Sequence, residues 1–250
     1  MTGSLHQPDT HPFVRKVESI TLCPLSPEER TALLALPMHA AQFDAYQDIV
    51  REGDRPSRCF AVLEGFVATY KTTQPGKRQV MAYHVPGDVP DLQSLHLKLL
   101  DNSIAALSPC RVGFVEHDAV RALFQAQPRL VGVFWRSTLI DAALVREWML
   151  NIGRREAYAR MAHLFCELIT RLDAVGLAPD RTCLLPMTQP ELADALGITP
   201  VHVNRTLGEL RDKGLITLRS RRLTVNDWDG LVAAAEFDPT YLHLGSRDAE

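Results

Sequence analysis

Nothing in these 250 residues reads as a membrane span or an export signal. No apolar run approaches the about twenty residues a spanning helix needs, and the opening MTGSLHQPDTHPF has no apolar stretch behind a basic start. The expected location is the cytoplasm, with no membrane partner. Cysteine is sparse, with five residues at positions 23, 59, 110, 166 and 183, no two closer than 17 apart. That odd, scattered set excludes a disulfide framework and points to reduced, mostly buried thiols. Cys23 stands alone near the N-terminus, so a cysteine-held iron–sulfur group is not expected. The nine histidines are scattered too, without the H-x3-H or H-E-x-x-H spacing of a helical metal site, and no metal is expected. There is no G-x-S-x-G, no phosphate-binding loop and no paired Cys/His constellation. No catalytic residue is therefore named, and an enzyme is not expected. Basic charge is not in excess either, since 27 Lys and Arg face 30 Asp and Glu for a net charge of −3. A polyanionic partner would have to be met by a local patch.

Such a patch exists near the C-terminus. From Gly197 to Val225 there are six Lys and Arg against two Asp and Glu, a local balance of +4. The surrounding stretch, TQPELADALGITPVHVNRTLGELRDKGLITLRSRRLTV, is a run of start and stop signals. Thr188 followed three residues later by Glu191 is a capping box, predicting a helix from about Pro190 with Leu192, Ala195 and Leu196 on one face. Gly197 ends it. Thr199 then caps a second helix with Pro200 at its first position and Val203, Leu207 and Leu210 inward, and Lys213 and Gly214 end that one. Leu215–Arg219 and Leu223–Val225 flank Ser220, Arg221 and Arg222 as a hairpin with a basic tip. A helical hairpin buried in a core is the alternative. Against it, the second helix leaves His202, Asn204, Arg205, Glu209, Arg211 and Asp212 off the apolar stripe, a polar face suited to base edges and phosphates.

Upstream, residues 1–13 are expected to be a disordered arm. SPEERTALLALP, from Ser26, is a capped helix. From Ala45 to about Phe114, short β-branched and aromatic runs are punctuated by Glu52-Gly53-Asp54, Glu64-Gly65, Pro75-Gly76 and Pro86-Gly87-Asp88, the corners of an antiparallel roll with half-buried strands in CFAVLEGFVATYK and RQVMAYHV. His117–Ala126 is a short helix with Val120, Leu123 and Phe124 inward. Arg129–Asn151 is a long one of roughly 35 Å. It carries two apolar stripes, one through Leu130, Val133, Phe134, Ser137, Ile140, Leu144 and Trp148, the other through Trp135, Leu139, Val145 and Met149. One stripe can cover the roll, and the other needs a second copy of the helix. The seam is assigned to Val133, Phe134, Ser137, Ile140, Leu144 and Trp148. Gly153, Arg154 and Arg155 read as a hinge, Ala157–Leu172 as another amphipathic helix, and Cys183–Pro186 as a short strand.

The helix-turn-helix segment resembles the C-terminal domain of the Crp/Fnr family of bacterial transcription regulators, and residues 14–240 have that family's order and proportions. The resemblance implies an α+β fold made of an N-terminal antiparallel β-roll (a double-stranded β-helix like cyclic-nucleotide-binding domains), a long dimerisation helix and a C-terminal winged helix-turn-helix. The expected division is a sensor roll at 14–127, the dimerisation helix and hinge at 128–154, and the DNA-binding domain at 155–250. The implied function is sequence-specific regulation of transcription by a homodimer on inverted-repeat operators, with double-stranded DNA as partner and RNA polymerase as a further candidate. The alternative is a cyclic-nucleotide-like ligand-binding or protein-interaction module whose winged helix is degenerate.

By position in the family's recognition helix, Pro200, Val201, Asn204 and Arg205 would read bases. Thr188, Gln189, Thr199 and His202 would meet phosphates near helix N-termini, and Arg219, Arg221 and Arg222 would do so from the wing. Cyclic-nucleotide binders of the family carry a Gly-Glu pair after the Pro-Gly-Asp corner and an Arg for the cyclic phosphate. Here the corner continues Val89-Pro90-Asp91-Leu92, and Val89–Cys110 holds no arginine and only Lys98 as a cation. A buried phosphate would lack its partner, so cyclic AMP is disfavoured. Asp91, Gln93, Ser94, His96, Asn102 and Ser103 remain as a candidate pocket for an unidentified effector, or as a solvated loop, and no cofactor is identified.

Overall fold

A computed structural model describes residues 11–245. Residues 1–10 of the expected arm lie outside the described residues. Its last part is ordered otherwise than expected, because Pro12 already opens helix α1 (Pro12–Ile20), whose Phe13, Val14, Val17 and Ile20 are buried. Helix α2 (Pro27–Leu34) follows with its capping box formed by Ser26 and Glu29. The roll comprises β1 (His39–Phe43), β2 (Asp48–Val50), β3 (Arg58–Glu64), β4 (Val67–Thr72), β5 (Arg78–His84), a 3-10 turn at Leu92–Leu95, β6 (Ser103–Ala106) and β7 (Cys110–Glu116). Two antiparallel sheets, ordered β1-β7-β3 and β2-β6-β4-β5, face each other across a core of Phe60, Val62, Val67, Leu100, Ile104, Val112 and Phe114. The roll thus begins at His39, ahead of the expected Ala45. β3 is buried along both faces, where half-burial was expected, because α1 covers its outer side: Ala61 packs with Phe13 and Val17 while Phe60 and Val62 point into the roll.

Helix α3 (His117–Ala126) leads into α4 (Pro128–Arg154), 27 residues and roughly 40 Å long. Gly153 and Arg154, expected in the hinge, are helical, and the chain turns at Arg155, which is extended (ψ 144°). Helix α5 (Ala157–Ala174), β8 (Thr182–Leu184), α6 (Gln189–Leu196), α7 (Pro200–Asp212), β9 (Ile216–Arg219), β10 (Arg222–Val225) and α8 (Trp228–Ala235) complete the C-terminal half, with β8-β10-β9 as its sheet.

The assignment of the two stripes of α4 is corrected. Phe134 packs edge-on against Phe13 of α1 (ring centroids 6.0 Å apart), and Trp148 against Tyr83 of β5 (5.6 Å). Ile140 and Leu144 are buried with Leu164 and Leu168 of α5 in the same core, Val133 packs on its edge, and Ser137 is half-buried beside it. Of the six residues expected in the seam, four are therefore buried inside the chain and Val133 and Ser137 are half-buried. The face left open carries Val131, Trp135, Leu139, Val145, Met149 and Ile152.

A buried ion cluster, absent from the sequence reading, joins the two halves. The Pro-Gly-Asp corner is pressed onto α1 at Gly87 (φ +101°), where a Cβ would fall 2.6 Å from the Pro12 carbonyl oxygen. The corner thereby delivers Asp88 to Lys16 Nζ at 3.0 Å and to Arg171 Nη2 of α5 at 2.7 Å. Arg171 donates its Nη1 to Glu167 at 3.0 Å, and Glu167 accepts in turn from Trp148 Nε1 and the Tyr241 hydroxyl. Burial alone would raise the Asp88 carboxyl, but the charges of Lys16 and Arg171 override it and hold the group below the ordinary carboxylate range.

His84 closes the cluster, with its Nε2 2.8 Å from the Thr69 hydroxyl and its Nδ1 3.9 Å from Asp88. Burial, opposed by Asp88 and aided by Arg171 and Lys16, brings its pKa down to about 4. The unfolded chain takes up this proton near 6.5, so in the window between 6.5 and about 4 the unfolded state binds more protons. The contribution of neutral His84 is complete above that window and is lost as pH falls through it, amounting to roughly 3 kcal/mol. Urea unfolding followed from about pH 7.5 to about pH 4, across this window, should show this loss, and His84→Gln should flatten it. An unchanged slope in the variant would assign the acid sensitivity to other groups.

Candidate nucleic-acid interface

The helix-turn-helix forms as its local chemistry dictates. The Thr188 hydroxyl and the Glu191 carboxylate cap α6 reciprocally, and Gly197 ends it at φ 63°. The Thr199 hydroxyl accepts from the His202 backbone N–H at 3.2 Å, and Pro200 occupies the first turn of α7. Val203, Leu207 and Leu210 are buried as expected, joined by Thr206. Arg160 of α5 donates to the Leu196 carbonyl at the end of α6 and to the Ile152 and Arg155 carbonyls, tying the turn to the end of α4. From the roll, the buried Tyr83 hydroxyl donates to the Glu191 carbonyl at 2.8 Å.

What remains outside is one continuous polar surface. Val201 is 81% exposed, and Pro200, Asn204 and Arg205 are exposed beside it on the first two turns of α7. Arg205 lies 2.9 Å from His202 Nε2 and 3.7 Å from Glu209, contacts a solvated side chain exchanges readily. Gln189 at the start of α6 reaches Asn204 across the turn at 3.4 Å, so the exposed N-terminal ends of both helices lie side by side. Thr188 and His202 are half-buried, and Thr199 is exposed. The wing pairs Arg219 with Arg222 across a two-residue turn, Ser220 (φ 49°) and Arg221 (φ 60°). Both turn residues are left-handed, the geometry that matches strand twist in tight hairpins. Arg219, Arg221 and Arg222 are all exposed at this tip. The third strand, β8, was legible as a strand but its partner was not; it pairs with β10.

The six residues considered for an effector pocket do not converge. Asp91 is buried and accepts from the Phe60 N–H, and burial pushes its carboxyl up to about 7. Ser94 is buried against His117 Nε2 at 2.9 Å. Asn102 is buried and Ser103 accepts from the Glu52 N–H, at the opposite end of the loop. Only Gln93 and His96 share a cavity, with Phe134 and Trp135 of α4. Inside the roll, Leu100 and Ile104 fill the space with fully buried apolar side chains, and Lys98 is exposed. The residues present do not fit a cyclic phosphate. Four cysteines are buried, and burial pushes the Cys59, Cys166 and Cys183 thiols up to about 12 and Cys110 to about 11, while Cys23 is exposed. Among the described residues no three His, Cys, Asp or Glu side chains gather as a metal site, and no helix is long and apolar enough to cross a membrane.

Known proteins repeat this arrangement. Residues 41–127 match the family described as cyclic nucleotide-binding domain, and residues 159–234 match the Crp-like helix-turn-helix domain. The nitrogen fixation regulation protein FixK of Azorhizobium caulinodans is 27% identical over 206 residues, covering 82% of this chain and 81% of that protein. The transcriptional activator protein FnrL of Cereibacter sphaeroides is 26% identical over 221 residues, covering 87% and 88%. The solved structure of FixK2 from Bradyrhizobium japonicum has the same fold, with a TM-score of 0.72 at 24% identity, over 79% of this chain and 96% of that one.

The caps and the exposed positions should separate in stability measurements. Thr199→Ala removes the hydroxyl that satisfies the His202 N–H and should cost about 1 kcal/mol. Val201→Ala touches nothing that folds the domain and should stay within about 0.5 kcal/mol of the parent. Urea midpoints in the reverse order would mean that α7 is held by its outer face.

Proposed function

From the chain's membership of the Crp/Fnr family of bacterial transcription regulators, we propose that it binds inverted-repeat operators as a homodimer, in the cytoplasm, reading bases with Val201, Asn204 and Arg205. The observation that carries this reading is the freedom of those three side chains: they are exposed at the N-terminal end of a capped helix whose opposite face is core. Arg205 can fork onto a guanine, Asn204 can pair with an adenine edge, and Val201 can touch a thymine methyl. Pro200 stands with them at the base-reading end of the helix, Thr188, Gln189, Thr199 and His202 surround them at helix N-termini suited to phosphates, and Arg219, Arg221 and Arg222 extend the contact from the wing. Val201 accepts no hydrogen bond, so a cytosine amine opposite it goes unread. The effector is not a cyclic nucleotide on this reading, since Val89–Cys110 holds no arginine for the phosphate and its one cation, Lys98, is exposed. Selection from random duplexes tests the assignment: Arg205→Ala should weaken the preferred site by about 1 to 3 kcal/mol and relax preference at one base pair. An unchanged consensus removes Arg205 from base reading.

The exposed face of α4 supports the dimer. Val131, Trp135, Thr138, Ala142, Val145, Met149 and Ile152 succeed one another at alternating four- and three-residue steps, the 3.5-residue period of a left-handed coiled coil. Trp135 is 67% and Met149 68% exposed, large apolar surfaces that a second α4 would cover. Pairing along this face would present two α7 helices roughly 34 Å apart, one turn of DNA. Ala142, exposed at the middle of the seam and without a partner in its own chain, is the position to test. Ala142→Glu would set two like charges against each other and should yield a folded monomer that has lost the full palindrome but keeps weak, salt-sensitive binding. Sedimentation beside a gel shift decides it, and a variant that remains dimeric moves the interface elsewhere.

A further inference from the structure

A cavity of about 410 Å³ lies beside that seam, where the 3-10 turn Leu92–Leu95 and the end of α3 meet the first half of α4. Leu92, Leu95, Phe124 and Phe134 line its apolar part, and Gln93 and His96 stand at its lip. Val131, Trp135 and Thr138 of the exposed stripe form its remaining wall, so the cavity and the proposed seam are one surface. We propose that this cavity is the socket for Leu139 of a second copy of the chain, which would bring the segment after the Pro-Gly-Asp corner into the dimer contact.

The coiled-coil register selects that side chain. With Trp135, Ala142 and Met149 at the a positions and Val131, Thr138, Val145 and Ile152 at d, Phe134 falls at g and Leu139 at e. In a parallel pair the g residue of one helix lies against the e residue five positions later on the other. Phe134 therefore faces Leu139 of the second copy. The other e positions are Gly132, Arg146 and Gly153, so Leu139 is the one large apolar side chain among them. It is 55% exposed in its own chain, and Phe134 is the g residue that opens onto a cavity. A small apolar ligand would also suit the volume. The second copy is favoured because the register carries an otherwise unpaired leucine to the cavity mouth.

This inference rests on the dimer proposed above, and its test separates the two. In a Cys23→Ser background, which removes the exposed cysteine among the described residues, Gln93→Cys and Leu139→Cys are combined. Both positions lie at the surface, so the variant should fold. A short bis-maleimide should join the two thiols between chains and give several-fold more covalent dimer than the control pair Gln93→Cys with Leu150→Cys, whose second thiol lies on the same flank but roughly 16 Å farther along α4, beyond the linker's reach. A sedimentation dimer that gives no interchain link, or a link within one chain, overturns the socket and leaves the dimer standing. Uptake of anilinonaphthalene sulfonate by that unlinked dimer, abolished by Thr138→Trp, hands the cavity to a small ligand and equally overturns it. A sedimentation monomer overturns both.

Discussion

Arg171 cannot be buried without its two carboxylates. A guanidinium taken out of water alone costs several kcal/mol, and the cost is met only if its donors find charged acceptors in place. Asp88 and Glu167 supply them, and each is held by something else: Asp88 by Lys16 and the Val85 N–H, Glu167 by Trp148 and Tyr241. These residues come from α1, the corner after β5, α4, α5 and the C-terminal turn. No helix in that group can shift without stranding a charge. The Tyr83 hydroxyl on the Glu191 carbonyl and the Arg160 fork on Leu196 then fix α6 to the same frame. The orientation of the helix-turn-helix is thus tied to the roll by hydrogen-bonded charge as well as by apolar contact. Apolar contact tolerates sliding, whereas charge-assisted bonds of this kind have fixed partners and directions.

Residues that fold by local rules were legible in the sequence. Thr188 with Glu191, Gly197, Thr199 with Pro200 and Gly214 each act within a few positions, and each does in the structure what its chemistry dictates. The ion cluster was not legible because Lys16, Asp88 and Arg171 are separated by more than seventy positions at each step, and isolated charges far apart in sequence carry no pairing signal. The outer burial of β3 escaped for a related reason. Its hydrophobic run fits either a half-buried or a doubly covered strand, and the cover, α1, was not expected as a helix, its first two residues falling in the segment assigned to an arm.

The two stripes of α4 show where a sequence argument was available and was misapplied. Both are apolar, so hydrophobicity does not rank them. Their periods do. The buried one steps through 130, 134, 137, 140, 144 and 148, close to the 3.6 residues of a straight helix packed on a globular surface. The exposed face also offers 131, 135, 138, 142, 145, 149 and 152, which alternate four and three, the 3.5 repeat that keeps a seam aligned only when two helices supercoil. A helix that serves a fixed core on one side and a like helix on the other carries both periods at once.

Packing also explains which residues of α7 are free to specify a target. Val203, Thr206, Leu207 and Leu210 are committed to the core, and Thr199 and Pro200 to the first turn. Val201, Asn204 and Arg205 carry no folding task beyond helix propensity, and their contacts are with solvated neighbours. Changes there alter the exposed face of α7 at little cost in stability, because the free energy of the domain resides on the other face. The same separation fails for Trp148 or Phe134, which are anchored in the core where α4 meets the rest of the chain. A substitution at either would shift the frame that holds both α4 and α7, so the exposed faces of those two helices are mechanically linked in this fold.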